Sequence, residues 1–119
     1  MKFKFTLNGR LPTLNDFIEA ERKNRYKGAA VKGRHQADIE LIIPRMKVTP
    51  PVILHYTWYE QNRKRDLDNV AGFGHKVIQD ALVKRGILPN DSPKEIVGFT
   101  DTFKLDRKSP RIEVEIEEV

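Results

Sequence analysis

Cysteine is absent from this 119-residue chain, which excludes a disulfide scaffold and a thiolate zinc site and fits a reducing compartment. Long apolar runs are absent too. Nothing approaches the roughly 20 residues that a helix needs to cross a bilayer. The opening Met1-Lys2-Phe3-Lys4 alternates and does not build the apolar core of a signal peptide. A cytoplasmic protein without membrane contact is the expectation. Glycine and proline are not in excess, at seven each, and 39% hydrophobic with 33% charged residues supplies a core and a well-solvated surface, which argues against disorder. The length makes one domain, residues 1–119, the expectation. No internal repeat or low-complexity tract is present.

Charge of one sign is also missing locally. Between Arg22 and Arg34 there is no acidic residue, while Arg22, Lys23, Arg25, Lys27, Lys32 and Arg34 are all cationic. The chain as a whole carries a formal net charge of +5, yet its end, Glu113 to Glu118, is acidic. A solvated basic loop is the ordinary account of such a run. Here Asn24 and Tyr26 are interleaved with the cations, and Gly28 and Gly33 bracket what reads as a mobile stretch. Together they point to contact with phosphates.

Alternation from Lys2 to Leu7 predicts a half-buried first strand, ended by Asn8-Gly9. Leu14, Phe17 and Ile18 trace a helical face over Asn15 to Arg25, with Thr13 as N-cap and Asp16 in the box position. A second helical run, Gln36 to Ile43, stops before Pro44; the two runs are either separate helices or one interrupted helix. Pro51 to Tyr59 reads as a strand that is apolar on both faces and therefore central. Val70, Phe73, Val77, Ile78, Ala81 and Leu82 give a helical stripe over Asn69 to Arg85, with Gly86 as its stop. Glu95 to Phe103 and Arg111 to Ile116 supply two further strands, joined by the polar turn Asp106 to Pro110. The fold class expected is mixed α/β, a small mixed sheet of about four strands packed with two or three helices.

The chemistry concentrates at Arg65-Asp66-Leu67-Asp68-Asn69. On an extended backbone, residues two apart point the same way, so both carboxylates can converge. At ~4 Å they repel by roughly 4 kcal/mol at an effective dielectric near 20, and a site that keeps them together holds a cation, read here as a hard divalent metal. Asn69, Lys76 and Asp80 fall within about 40° on a helical wheel and form a polar stripe beside the core. Plainer accounts exist for single residues: Asp68 or Asn69 as a helix cap, and Lys76 with Asp80 as an i, i+4 pair. They leave Asp66 and the later Asp91 unexplained.

Competing motifs fail. An EF-hand starting at Asp66 would put Ala71 at the required glycine and Val77 at the bidentate glutamate. Gly28 to Arg34 imitates a phosphate-binding loop, but Arg34 and His35 stand where Lys and Ser or Thr belong, with no strand before them. Asp106-Arg107-Lys108 resembles the tail of a restriction-type nuclease motif without a clear partner acid. His35, His55 and His75 lack ligand spacing.

Arg65-Asp66-Leu67-Asp68-Asn69, Lys76, Asp80-Ala81-Leu82, Gly86 and Asn90-Asp91 resemble the RusA-type Holliday-junction resolvases, a phage and prophage endonuclease family; similarity extends weakly to Pro12–Asn15, Asn24-Arg25-Tyr26 and the last strand. The resemblance implies a homodimer that binds four-way DNA junctions. With Mg2+ it nicks two opposed strands and leaves 5′-phosphate ends. It makes Asp66, Asp68 and Asp91 the metal-binding catalytic acids and Lys76 the essential lysine. The chain departs from the pattern in one place: Lys76 stands two turns, not one, beyond Asp68, with Gly72 in the nearer position, as if Ala71 to Gly74 were an extra turn.

On this reading Asp66 and Asp91 are direct ligands, Asp68 bridges or orients a water, and Lys76 stabilises phosphate charge, with Asn69 and Asp80 supporting them. Arg22, Lys23, Arg25, Lys27, Lys32, Arg34, Arg63 and Lys64 hold DNA backbones. The rival readings are a non-catalytic phage DNA-binding protein and a metal-dependent hydrolase of small phosphorylated substrates.

Overall fold

A computed structural model describes residues 1–119. The elements follow in the order β1 (Lys2–Asn8), α1 (Leu14–Lys23), α2 (Arg25–Ile42), β2 (Val52–Glu60), α3 (Leu67–Lys84), β3 (Ile96–Leu105) and β4 (Arg111–Glu118). The four strands form one sheet in the order β1-β4-β2-β3. β4 is antiparallel to both β1 and β2, whereas β2 and β3 are parallel and joined through α3. The sheet is therefore mixed, with three helices, as the alternation and periodicity predict. The Asp106–Pro110 turn does not make a hairpin, because β2 lies between the strands it connects.

Every second residue of the inner strands is buried: Val52, Leu54, Tyr56 and Trp58 on β2, Ile112, Val114 and Ile116 on β4. This face carries the core with α3, whose Val70, Phe73, Val77, Ile78, Ala81 and Leu82 are also buried. β2 is central but not apolar on both sides in effect. Its other face is only half-buried, with His55 hydrogen-bonded to Thr100 at 2.7 Å and Glu117 at 3.0 Å, and Arg111 lying over the Tyr59 ring at 3.7 Å. Polar cross-strand pairs cover that face where a second helical layer would otherwise be needed.

The largest departure from the sequence expectation is α2. Gly28 and Gly33 do not bracket a mobile stretch; both lie inside a helix that begins at Arg25. Two devices offset the ~1 kcal/mol that each glycine costs a helix. Asn24 breaks the chain into two helices with an extended backbone, accepting with its side chain from the Tyr26 N–H at 2.8 Å while its own N–H donates to Ala20. Gly28 then lets α2 cross close to α1, where a Cβ would lie 2.3 Å from Glu21 Cγ. Thr13 and Asp16 form the expected reciprocal box at the start of α1, at 3.1 and 3.0 Å. α3 ends as its sequence predicts, with Gly86 at φ +74° and the Ile87 N–H donating to the Leu82 carbonyl.

Candidate active site

The carboxyl ends of the parallel strands β2 and β3 and the start of α3 meet at one edge of the sheet, the place where open α/β sheets form crevices. A cleft of about 640 Å³ opens there, lined by Glu60, Arg63, Asp66, Leu67, Phe103 and Lys104 among others. Arg65 anchors its wall. The guanidinium grips Glu60 with two bonds, at 2.8 and 3.1 Å, and donates a third to the Leu11 carbonyl at 3.0 Å. Arg63 and Lys64 stay exposed.

Asp66, not Asp68 or Asn69, occupies the N-cap position of α3, with an extended backbone at φ −68° and ψ 143°. Its side chain makes no capping bond. Asp68 lies in the first helical turn, so the pair does not share one extended segment; the chain turns into the helix between them. Both carboxylates are exposed, and both sit where the positive end of the helix dipole favours negative charge.

Asp91 belongs to a second group. It follows the Gly86 turn and approaches the middle of α3, its Oδ2 lying 3.6 Å from Lys76 Nζ. The same ammonium is 3.3 Å from Asp80 Oδ1, and Lys32 of α2 closes on Asp80 Oδ2 at 2.5 Å. Two cations and two acids thus alternate. The hydrogen bond and charge of Asp80, with Asp91 behind it, hold the Lys76 ammonium above its ordinary range against the opposing effect of burial. For Asp80, burial pushes the carboxyl up, but Lys32 and Lys76 together outweigh it and hold it below the usual range.

The structure does not gather Asp66, Asp68 and Asp91 into one cluster: no three acidic or histidine side chains stand together as a metal site in the single chain. The physical reason lies in the helix. At ~1.5 Å per residue, Lys76 is about 12 Å along the axis from Asp68, and Asp91 is tied to Lys76. Asn69, half-buried, follows Asp68 in the first turn of α3.

The basic residues also divide. Arg22, Lys23, Arg25, Lys27 and Arg34 are exposed on the α1–α2 hairpin, and Tyr26 stands 72% exposed under the Arg25 guanidinium at 5.2 Å. Lys32 instead turns inward to Asp80. The hairpin packs on α3 through Phe17 and Phe73, with ring centroids 5.2 Å apart, so its cations and the α3 acids belong to one rigid assembly.

Two residues outside the sequence expectation lie close by. Asp101 of β3 accepts from the Trp58 indole N–H at 2.8 Å and pairs with His75 Nε2 at 2.7 Å, and both Asp101 and His75 share a pocket with Asp68. The legible signal was an acid on the side of β3 otherwise occupied by Phe99 and Phe103.

A family model described as Endodeoxyribonuclease RusA matches residues 9–117. No curated protein matches the chain.

Proposed function

From the premise that the chain belongs to the RusA endodeoxyribonuclease family, whose model spans all but its ends, we propose that it is a magnesium-dependent, structure-selective endonuclease that resolves four-way DNA junctions by paired nicks leaving 5′-phosphates. The observation that carries this reading is the pair of unpartnered carboxylates, Asp66 and Asp68, at the positive end of α3 beside a cleft bordered by Arg63 and Lys104.

The chemistry of these two carboxylates suits magnesium. The ion prefers oxygen ligands, keeps several waters and is commonly held by one or two carboxylates plus substrate phosphate, without an all-protein cage. Asp66 and Asp68 would hold it, free of internal hydrogen bonds that a metal would have to displace. When bound, the ion supplies positive charge to a phosphodiester and acidifies water.

The protein's own groups do the rest. Arg63 and Lys64 hold the backbone next to the cleft, and the exposed cations of the α1–α2 hairpin hold a neighbouring arm, so that selection follows junction shape and not sequence alone. Lys76, kept charged and extended by Asp80 and Asp91, meets a phosphate farther along the same strand. Asp91 acts through Lys76 in this arrangement, which is a smaller role than direct ligation. One site cuts one strand, and two symmetric nicks call for a two-fold dimer.

The test is cleavage of a labelled four-way junction and of its matching linear duplex, each with magnesium and with chelator. Paired cuts in the junction with magnesium only are expected. Equal cutting of duplex and junction would remove the structure selectivity, and cutting in chelator would remove the metal.

A further inference from the structure

Beyond the ridge formed by Leu67 and Phe103, a second pocket of about 410 Å³ opens between α3 and β3. It adjoins the cleft of Asp66 through those two shared residues and contains Asp68. Its chemistry differs from that of the cleft, being aromatic, with Asp101 held by hydrogen bonds and Asp68 free. Phe99 is 53% exposed, and its ring packs on His75 with centroids 4.6 Å apart. Phe99 and Phe103 stand on the same side of β3 as Asp101, each roughly 6–7 Å from it along the strand.

We propose that this pocket is a nucleobase subsite. A base next to the cut phosphate leaves its stack, lies against the aromatic rings of β3 and turns its amino or imino N–H groups towards Asp101. The inference rests on the nuclease reading above and adds what part of the DNA the site reads.

Two observations carry it. Asp101 Oδ1 takes both the Trp58 and the His75 bonds, which fixes the carboxylate and leaves Oδ2 without a partner inside the chain. A purely apolar occupant would bury that oxygen unpaired, at a cost; a base brings a π face for the rings and donors for the acid. Continuity with the cleft supplies the second: one nucleotide can place its phosphate at Asp66 and Asp68 and its base beyond Leu67. A branch point interrupts stacking, so a base there leaves its pair at lower cost than one inside a duplex, and base–aromatic stacking is tolerant of sequence.

The experiment walks an abasic nucleotide across the positions flanking the crossover of a four-way junction, reading cleavage with magnesium and equilibrium binding in chelator. Wild-type protein is expected to lose about 5- to 150-fold at one position. Phe99→Ala should show that loss on the intact junction and no further loss on the abasic one; Phe99→Trp should restore discrimination and Phe99→Leu should not. Indifference of the wild type to every abasic position overturns the proposal. So does restoration by Leu together with a fall from dimer to monomer in Phe99→Ala by sedimentation, which would make this face a contact between copies. If binding shows the abasic loss but no strand is cut, the subsite stands and the nuclease reading fails; if branched DNA does not bind, both fail.

Discussion

Lys76 Nζ lies 3.6 Å from Asp91 Oδ2, fastening the loop that follows α3 back onto the middle of the helix. The contact decides how the acids of this chain are grouped. Asp91 is drawn to an ammonium that Asp80 also holds, and no three acids gather as a metal site in the single chain.

On the proposed reading, that grouping separates the acids by function. Asp66→Asn and Asp68→Asn should each lower magnesium-dependent junction cleavage by at least ~10², the scale of losing one electrostatic group at a reacting centre. Junction binding should persist or tighten, since less negative charge faces phosphate. Wild-type rates in both variants would remove the metal from this end of α3.

Salt offers a second check. With about 6 to 10 phosphate contacts, affinity should fall about 10³- to 10⁵-fold between 50 and 200 mM salt. Arg25→Ala with Lys27→Ala should reduce the logarithmic salt slope by roughly two without changing thermal stability. An unchanged slope, measured by anisotropy titration, would take the hairpin out of the DNA surface.

Acid should weaken the fold through Asp80. Its folded pKa is depressed, so the stability it contributes is present above the unfolded carboxylate value of about 4 and is lost as pH falls through its lower folded value. The melting temperature of the wild type should therefore drop as pH falls below about 4. Asp80→Asn should melt lower at neutral pH and show a flatter acid limb by circular dichroism. Parallel curves for the two proteins would contradict the assignment.

Two glycines in helices should respond oppositely to alanine. At Gly74 a Cβ would sit 2.4 and 2.7 Å from atoms of the Trp58 ring, and Trp58 is fully buried; Gly74→Ala should cost ~1–3 kcal/mol by overpacking. At Gly33 nothing lies within 4 Å, and Gly33→Ala should stabilise by roughly 0.5–1 kcal/mol. Denaturant midpoints for the two variants measure both; a neutral Gly74→Ala would show that α3 can move off β2.

Local signals were legible where a single physical requirement acted on neighbouring residues. Thr13 with Asp16, the α3 stripe from Val70 to Leu82, Gly86 and the alternation of β1, β2 and β4 each state their structure within a turn or a strand. The first half of α2 was hidden because Gly28 and Gly33 argue against a helix locally, and the close approach of Glu21 explains Gly28 alone. The mid-strand acid Asp101 likewise acquires meaning only from Trp58 and His75, residues on two other elements.

By itself, then, the sequence determined most of the element types, the basic segment from Arg22 to Arg34 and the acids through which the chain resembles its family, because periodicity, capping and motif spacing are properties of adjacent residues. Only the tertiary structure decided which acids share a neighbourhood, since that depends on the length of α3 and on the competition of Lys76 and Lys32 for carboxylates far away in the chain. It was also the packing of α3 on β2 and β3, through Tyr56, Trp58 and His75, that brought Asp68, Phe99 and Asp101 to one pocket.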